Sequence, residues 1–581
     1  MSSERQGHRS RGIVRPGTLL LLTLMGVAGS ASSRQARPYP AAHPGAPAGS
    51  RLETELRARI HHVFVIYQEN RSFDSYFGTF PGADNLANPE AQEHGFRQYD
   101  PIGKSWITPF AIDAPDTADP GHAREQLLAK SDGGRMDQFV AAEEASQLAR
   151  HASAEHARQL GLLTMAHEDC RTIPFLWLYA HRFTLYDHIF QGMYGPSTPG
   201  NIDLIAGQTG QTQWARHPSQ AKKPGTRDPG EPVLDDLDPP WGPYANGKPS
   251  TAQYDQTYAT VLLTLFGRKA ALAKVDTDDV KQDLDALARL HAKAVPWAWY
   301  QEGFGDGGAG KHPAYIAHHN APQYFGYIRQ NEPLWRGVHD LDDFFTAIGE
   351  RKLPAHSVVF VKGGLHNPFG WRPVDSSSIV QAHFAGDDDH PGYSDSQISE
   401  SLVARVVNAV ARSPYWRDSA ILIFWDDSGG FYDHVPPPQF EQCPDRQPCG
   451  DGPRLPLILL SPYARSGGLV SDPGDHASFV KFLDVLFQLP PLATLPDEKP
   501  YLPEGPRDAN PALTDLVGGF DPARLAGTKR AIPATEAEIP DEVVNQFPAA
   551  MTCSSIGVAP VELPGASAPA GFSPLGTSSH P

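Results

Sequence analysis

Two apolar runs in this chain end in acids. Residues 61–67 (HHVFVIY) lead into Gln68-Glu69-Asn70-Arg71-Ser72-Phe73-Asp74, and residues 420–425 (AILIFW) lead into Asp426-Asp427-Ser428-Gly429-Gly430-Phe431-Tyr432-Asp433-His434. Adjacent carboxylates repel and raise each other's pKa unless a proton or cation compensates, and oxygen donors of this kind suit a divalent cation. Either motif alone reads equally well as helix-capping acids and a turn; the pair, delivered to one sheet edge, favours metal binding. A third segment, Gly195-Pro196-Ser197-Thr198-Pro199-Gly200-Asn201, precedes the apolar residues 202–206. Its order is that of a helix start, with Thr198 as cap and Pro199 first in the helix. Unpaired N–H groups at such a start hold phosphate, and a hydroxyl beside a metal can be ionised and attack phosphorus. Taken alone, a Ser/Thr-Pro pair is more often only a cap.

The elements that must position these residues are legible as patterns. Residues 61–67, 357–361 (SVVFV), 420–425 and 455–460 (LPLILL) are short, β-branched and apolar, as buried parallel strands are. Residues 396–411 place Ile398, Leu402, Val406 and Val410 on one helical face, stopped by Pro414. Val280, Leu284, Leu287 and Leu290 do the same after Thr277, a cap with Asp278 and Asp279 in the first turn. Strands alternating with helices predict an α/β fold, a mostly parallel central sheet with helices on both faces. Ligands of such sheets bind beyond the carboxyl ends of the strands, where the acids above fall.

Composition bounds the rest. The chain has 581 residues, a formal charge of −18 and 40% hydrophobic residues, so a large packed core is feasible and nucleic acid is excluded as a partner. Arg5, Arg9, Arg11 and Arg15 precede an apolar run over 18–28 and then small residues, the pattern of an export signal over 1–32. The run is too short to span a bilayer, although a signal anchor is the alternative. Removing 1–32 takes four Arg and one Glu, so −18 becomes −21. The expected product is a secreted or periplasmic protein without stable membrane insertion. Residues 33–58 read as a flexible leader, 59–500 as the catalytic domain, 501–552 as a Pro-rich extension and 553–581 as a disordered tail. Cys443 and Cys449 are spaced to bridge in an oxidising compartment; Cys170 and Cys553 are too far apart to judge.

The segments quoted, with Asp389-His390-Pro391-Gly392-Tyr393, resemble the bacterial phosphoesterase family of phospholipases C and respiratory-burst-inhibiting acid phosphatases, which has an alkaline-phosphatase-like fold. The likeness spans roughly residues 59–490. It implies that Glu69, Asn70, Asp426 and Asp427 hold one divalent cation. It makes Ser197 both nucleophile and metal ligand, and His319, His390 and His122 the phosphate-site histidines. The implied function is hydrolysis of a phosphate ester, a phospholipid among the candidates, through a phosphoseryl intermediate, with His390 or His319 protonating the leaving alkoxide. Gly200 departs from the family's usual Pro-Asn. Asp427 and the short C-terminus lean towards the phosphatases, whereas Trp297, Trp299, Tyr300 and Phe304 form a cluster that either faces a choline group or packs in the core. The competing reading outside enzymes is a non-catalytic secreted binding protein on a decayed scaffold.

Overall fold

Among the described residues eight strands form one sheet, in the order β12 (Gly468–Val470), β6 (Thr184–Phe190), β11 (Arg454–Leu460), β10 (Ser419–Trp425), β1 (His62–Gln68), β9 (Ser357–Lys362), β7 (Trp297–Gln301) and β8 (Val338–Asp340). In this computed structural model residues 50–576 are described, apart from 94, 217–231, 245–254, 268–271, 273–279, 291–292, 306–312, 440–442, 444–446, 504 and 564. The expected export signal and the Thr277 cap lie outside the described residues.

The central strands are β1, β9 and β10, with β6, β7, β8, β11 and β12 outside them. Every residue of β1, β9 and β10 is buried, which explains their continuous Val/Ile/Leu/Phe runs. β1 pairs in parallel with β10 and β9, and β7 with β9 and β8. The sequence gives no hint that residues 455–460 differ from their neighbours, yet β11 runs antiparallel to both β10 and β6. A parallel return would need a crossover helix; among the described residues between β10 and β11 there is none, and the chain turns back at the edge it has reached. All strands but β11 therefore end at one edge.

Helices pack around this sheet in one large apolar core. A second core lies under two small ribbons, β2 (Gln98–Asp100) with β3 (Ser105–Ile107) and β4 (Phe110–Ala111) with β5 (Ala166–His167), and under the helices Phe139–Ala149 and Ala154–Leu163. Among the described residues no helix is long and apolar enough to cross a membrane.

Both ends of the chain depart from expectation. The leader was expected to stay flexible to residue 58, but Arg51–Arg59 is a helix capped by Ser50, with Leu56 in the core. Residues 553–576, expected as a disordered tail, pack on the body. Cys553 is disulfide-bonded to Cys170, the Phe572 ring lies edge-on to Phe110 with centroids 5.0 Å apart, and Ala118 N–H donates to the Pro574 carbonyl at 2.8 Å. Three anchors many residues apart outweigh a composition poor in apolar residues. The other two cysteines, 443 and 449, are bridged as their spacing suggested.

Candidate active site

The shared strand edge gathers all eight residues named from the sequence. Glu69 and Asn70 follow β1, and Asp426 and Asp427 follow β10; these strands are adjacent and in register, with Gln68 opposite Trp425. Asn70 turns the chain with φ 58°, a left-handed conformation that Asn tolerates better than most residues. Gly429, φ 59°, faces the Asn70 carbonyl so closely that a Cβ would clash with it.

Ser197 opens the helix Ser197–Ala206 that follows β6. The expectation that Thr198 caps this helix and Ser197 stands outside it is not what the structure shows. The helix begins at Ser197, Pro196 is the cap residue, and the Thr198 hydroxyl donates to Asp236 Oδ1 at 2.9 Å. A Pro can sit within the first turn rather than only at its first position, because none of those N–H groups has an intrahelical acceptor. Gly200 is also explained: the helix rests on the Asp426 carbonyl, where any Cβ would clash. Tyr67 donates to the Gly200 carbonyl at 2.9 Å and fixes that contact.

The Ser197 hydroxyl is the centre of the cluster. Its Oγ lies 2.8 Å from Glu69 Oε2, 3.2 Å from Asn70 Oδ1 and 3.2 Å from Asp427 Oδ2. Asp426 sits behind, its Oδ1 accepting the N–H groups of Asn70 and Asp427 at 3.1 and 2.7 Å and its Oδ2 accepting from Asn201 Nδ2 at 3.3 Å. These side chains are buried. Lys362, the last residue of β9, places its ammonium against Glu69.

Charge follows from this burial. Burial, with Glu69 and Asp427 beside it, pushes Asp426 well above the usual carboxylate range. Burial likewise takes Asp427 up to about 7, against the opposing pull of His122. Burial opposes ionisation of Glu69 too, but His319 and Lys362 hold it well below its ordinary value. When ionised, Glu69, Asp426 and Asp427 leave a charge of −2 after Lys362, and the other cation beside them, the His122 ring, is shared with Asp119. A hard, all-oxygen donor set with that deficit fits a divalent cation.

The three histidines stand around this cluster. His319 Nδ1 lies 3.0 Å from Glu69 Oε1, and burial holds its pKa at about 3. His122 Nε2 lies 3.3 Å from Asn70 Nδ2; burial opposes its protonation, but Asp119 and Asp427 raise it well above the imidazole range. His390 stacks on Tyr393 and meets His122 edge-on, with ring centroids 5.7 Å apart, and burial lowers its pKa. A cavity of about 450 Å³ opens beside them, walled by Asp119, His122, Asp236, His390, Tyr315 and Tyr393 among others.

Several neighbours of the cluster carry little or no signal in the sequence. Lys362 stands at a strand end, where the strand-end rule alone could have found it. Asp388 accepts from Tyr393 and Ser394 at 2.9 and 2.8 Å and lies 3.8 Å from His319 Nδ1. It sits one residue before the Asp389-His390 motif, and Asp236 had no local signal at all. The aromatic residues 297–304 are core packing: Trp299 stacks on Phe360 with centroids 5.1 Å apart, and Phe304 is buried.

The sequence model of the Phosphoesterase family matches residues 60–490. The chain is 23% identical over 522 residues to the non-hemolytic phospholipase C of Burkholderia pseudomallei, covering 83% of this chain and 62% of that protein. It is 22% identical over 464 residues to phospholipase C A of Mycobacterium tuberculosis, covering 74% and 73%. With the hemolytic phospholipase C of Pseudomonas aeruginosa, 22% identical, the shares are 74% and 53%. The chain thus spans somewhat more than half the length of several curated relatives it matches. Among solved structures, an alkaline phosphatase superfamily protein from Vibrio parahaemolyticus overlaps with a TM-score of 0.27 and 9% identity, over 55% of this chain and 61% of that one. Overlap at that level carries no argument.

Proposed function

The chain belongs to the Phosphoesterase family, and on that footing we propose that it is an exported, metal-dependent hydrolase of phosphate esters working through Ser197. The observation that carries this reading is the Ser197 oxygen, at the first position of a ten-residue helix and within 3.2 Å of side-chain oxygens from Glu69, Asn70 and Asp427. An ordinary buried serine needs one acceptor for its one proton. Three acceptor-bearing groups crowding a single hydroxyl make sense if a cation shares the space.

Glu69, Asn70, Asp426, Asp427 and Ser197 would hold that cation. Bound there, a divalent ion supplies a Lewis acid that favours the ionised serine and a phosphoryl oxygen beside it. Glu69 Oε2 is placed to take the hydroxyl proton. The serine oxygen attacks phosphorus in line, the P–O bond to the leaving alkoxide breaks, and a nearby histidine gives that alkoxide a proton. Water then attacks the phosphoserine, the Ser197–phosphorus bond breaks, and the hydroxyl regains its proton. The His122 and His390 rings stabilise the equatorial oxygens. His122, raised by Asp119 and Asp427, is the ring best poised to hold a proton.

The adjoining cavity favours a diester with a cationic head group, in keeping with the relatives named phospholipase C. Its acids and tyrosines, here Asp119, Asp236, Tyr315 and Tyr393, suit an ammonium, while the His122 and His390 rings in the same wall suit the phosphoryl group. Export is supported by two disulfides that use all four cysteines.

The test is a panel of phosphatidylcholine, sphingomyelin, p-nitrophenyl phosphorylcholine and p-nitrophenyl phosphate, assayed with and without chelator and with Ser197→Ala. Hydrolysis that is lost on chelation, and by roughly 10³-fold or more in the variant, supports the reading. Full activity in Ser197→Ala, or phosphate found on Thr198 after an acid quench, overturns it. Turnover of only the monoester overturns the head-group assignment.

A further inference from the structure

We propose that the β2–β3 ribbon is an interfacial anchor that seats the protein on a zwitterionic, phosphatidylcholine-type lipid surface. The ribbon is two-faced by the period of a strand. Gln98, Asp100 and Ile107 face inward and are buried, whereas Tyr99 and Trp106, directly paired across the two strands, are 43% and 59% exposed. The chain has ten tryptophans, all among the described residues, and Trp106 is the one that is exposed.

The inner face explains why this exposure is held rather than accidental. Gln98 is bonded at both ends of its amide, donating to the Met136 carbonyl at 3.0 Å and accepting from Val140 N–H at 3.1 Å. Asp100 accepts from Arg158 at 2.9 Å, and Ile107 lies in the second core. A one-residue shift of register would bury the aromatic pair and expose these residues. The ribbon is therefore fixed with its aromatic face to solvent, where nothing among the described residues covers it.

The chemistry of that face selects the occupant. Tyr99 and Trp106 form a ring pair with centroids 5.4 Å apart, and the exposed Arg97 carries its guanidinium 5.5 Å from the Trp106 ring. Lys104, also exposed, stands on the turn beside Pro101. Tyrosine and tryptophan are the residues that lodge at the boundary between acyl chains and head groups. Long cationic side chains beside them reach the lipid phosphates while their stems lie on apolar surface. A net charge of −18 opposes adsorption to an anionic bilayer, so the aromatic pair must provide the attraction and the two cations only local complementarity. A neutral bilayer rich in phosphatidylcholine meets both conditions. The inference goes beyond the catalytic reading and does not rest on it.

The experiment measures binding of the full chain to phosphatidylcholine vesicles by co-sedimentation, with quenching of the wild-type tryptophan fluorescence by lipid brominated in the acyl chain as a second readout of where Trp106 sits. The comparison is with the double variant Tyr99→Ser, Trp106→Ala, whose fold is checked by its melting temperature. Wild type should bind and be quenched, with little dependence on salt. The double variant should bind at least ten-fold more weakly and hydrolyse vesicle lipid correspondingly less, yet act on soluble p-nitrophenyl phosphorylcholine as wild type does. Absence of wild-type binding, or equal binding by a folded double variant, overturns the proposal. So does a concentration-dependent dimer that the double variant abolishes, since a second copy would then be the occupant. Wild type that binds vesicles through the ribbon but hydrolyses no ester defeats the catalytic reading and leaves the anchor standing; the converse defeats only the anchor.

Discussion

Two buried acidic clusters grow from the same two segments of chain and are neutralised in opposite ways. The first is the Ser197 cluster, where Glu69, Asp426 and Asp427 face the Lys362 ammonium and, beside Asp427, a His122 ring that Asp119 shares. The second lies five to seven residues further along each segment. There Asp74 and Asp433 are met by Arg454, which donates to Asp433 Oδ1 at 2.8 Å and Asp74 Oδ1 at 3.0 Å while it also donates to the carbonyls of Asp84 and Asp187. His434 adds a contact to Asp74 Oδ2 at 2.7 Å. The Phe73 ring covers the guanidinium with 4.5 Å from centroid to carbon. One cluster carries its cations in the sequence; the other is left short of them. That contrast marks the site more sharply than the presence of acids does, because burying carboxylates is common and leaving them uncompensated is costly.

If the second cluster is structural, removing its cation should produce the largest loss of stability. Arg454→Met is expected to cost about 3–5 kcal/mol, as the loss of one partner from a buried ionic group does. Denaturant unfolding of the two proteins measures it. A loss under about 1 kcal/mol would erase the distinction between the clusters, for then the acids near Arg454 would tolerate isolation as well as those near Ser197 must.

The same cluster should give the protein a characteristic alkaline limit. Burial alone would lower the His434 pKa, but Asp74 and Asp84 raise it to about 9. A folded-state pKa above the reference of about 6.5 stabilises the fold fully below that reference and is lost as pH rises through about 9. The shift corresponds to about 3 kcal/mol between these limits. Unfolding free energies of wild type and His434→Gln at pH 6 and pH 9.5 separate the effect, since the variant should lack this decline. An equal decline in both proteins would assign it elsewhere.

How far these features could be read from sequence depends on whether their signal is local. The acids and the hydroxyl lie at strand ends and a helix start, where apolar runs and Pro-Gly punctuation announce them, so Glu69, Asp426 and Ser197 stand out at once. The α/β class follows from the same runs. What compensates each cluster is not local. Arg454 begins β11 and looks like any strand-edge arginine until the fold brings it to Asp74, 380 residues away in sequence. The reversal of β11 is hidden for a related reason: a fully buried strand has the same composition in either direction. The packed C-terminal segment was misread because disulfide pairing over 383 residues leaves no mark on composition.

Next in size is relief of charge in the first cluster. Asp427→Asn keeps an oxygen for the Gly429 N–H, which Asp427 Oδ1 accepts at 2.6 Å, while removing one negative charge beside Ser197. In metal-free protein above pH 7, where Asp427 is ionised, this should raise stability by on the order of 1 kcal/mol, because a buried charge short of cations is gone. Metal content by elemental analysis should fall in parallel with activity. The opposite sign, a less stable metal-free variant, would mean that the cluster is already balanced within the chain and that no external cation is required.

The smallest effect sharpens the contrast down to neighbouring hydroxyls. Ser197 and Thr198 share a helix start, and both are buried, yet their oxygens face different acids. Ser197 points into the uncompensated group, whereas Thr198 faces ordinary partners: Asp236 Oδ1 accepts both its hydroxyl, at 2.9 Å, and its N–H, at 3.0 Å, and the His318 carbonyl lies 3.4 Å from the hydroxyl. Thr198→Val preserves shape and leaves the N–H bond in place, so only the hydroxyl's bond to Asp236 and its longer contact to the His318 carbonyl are lost. The expected cost is about 1 kcal/mol of stability. Turnover should change by no more than a few fold, because Asp236 lines the substrate cavity but keeps its backbone anchor. A drop in turnover as deep as that of Ser197→Ala, with stability intact, would move the nucleophile one residue along. The three short oxygen contacts of Ser197 would then belong to packing, and the comparison between a compensated and an uncompensated cluster would lose its functional meaning.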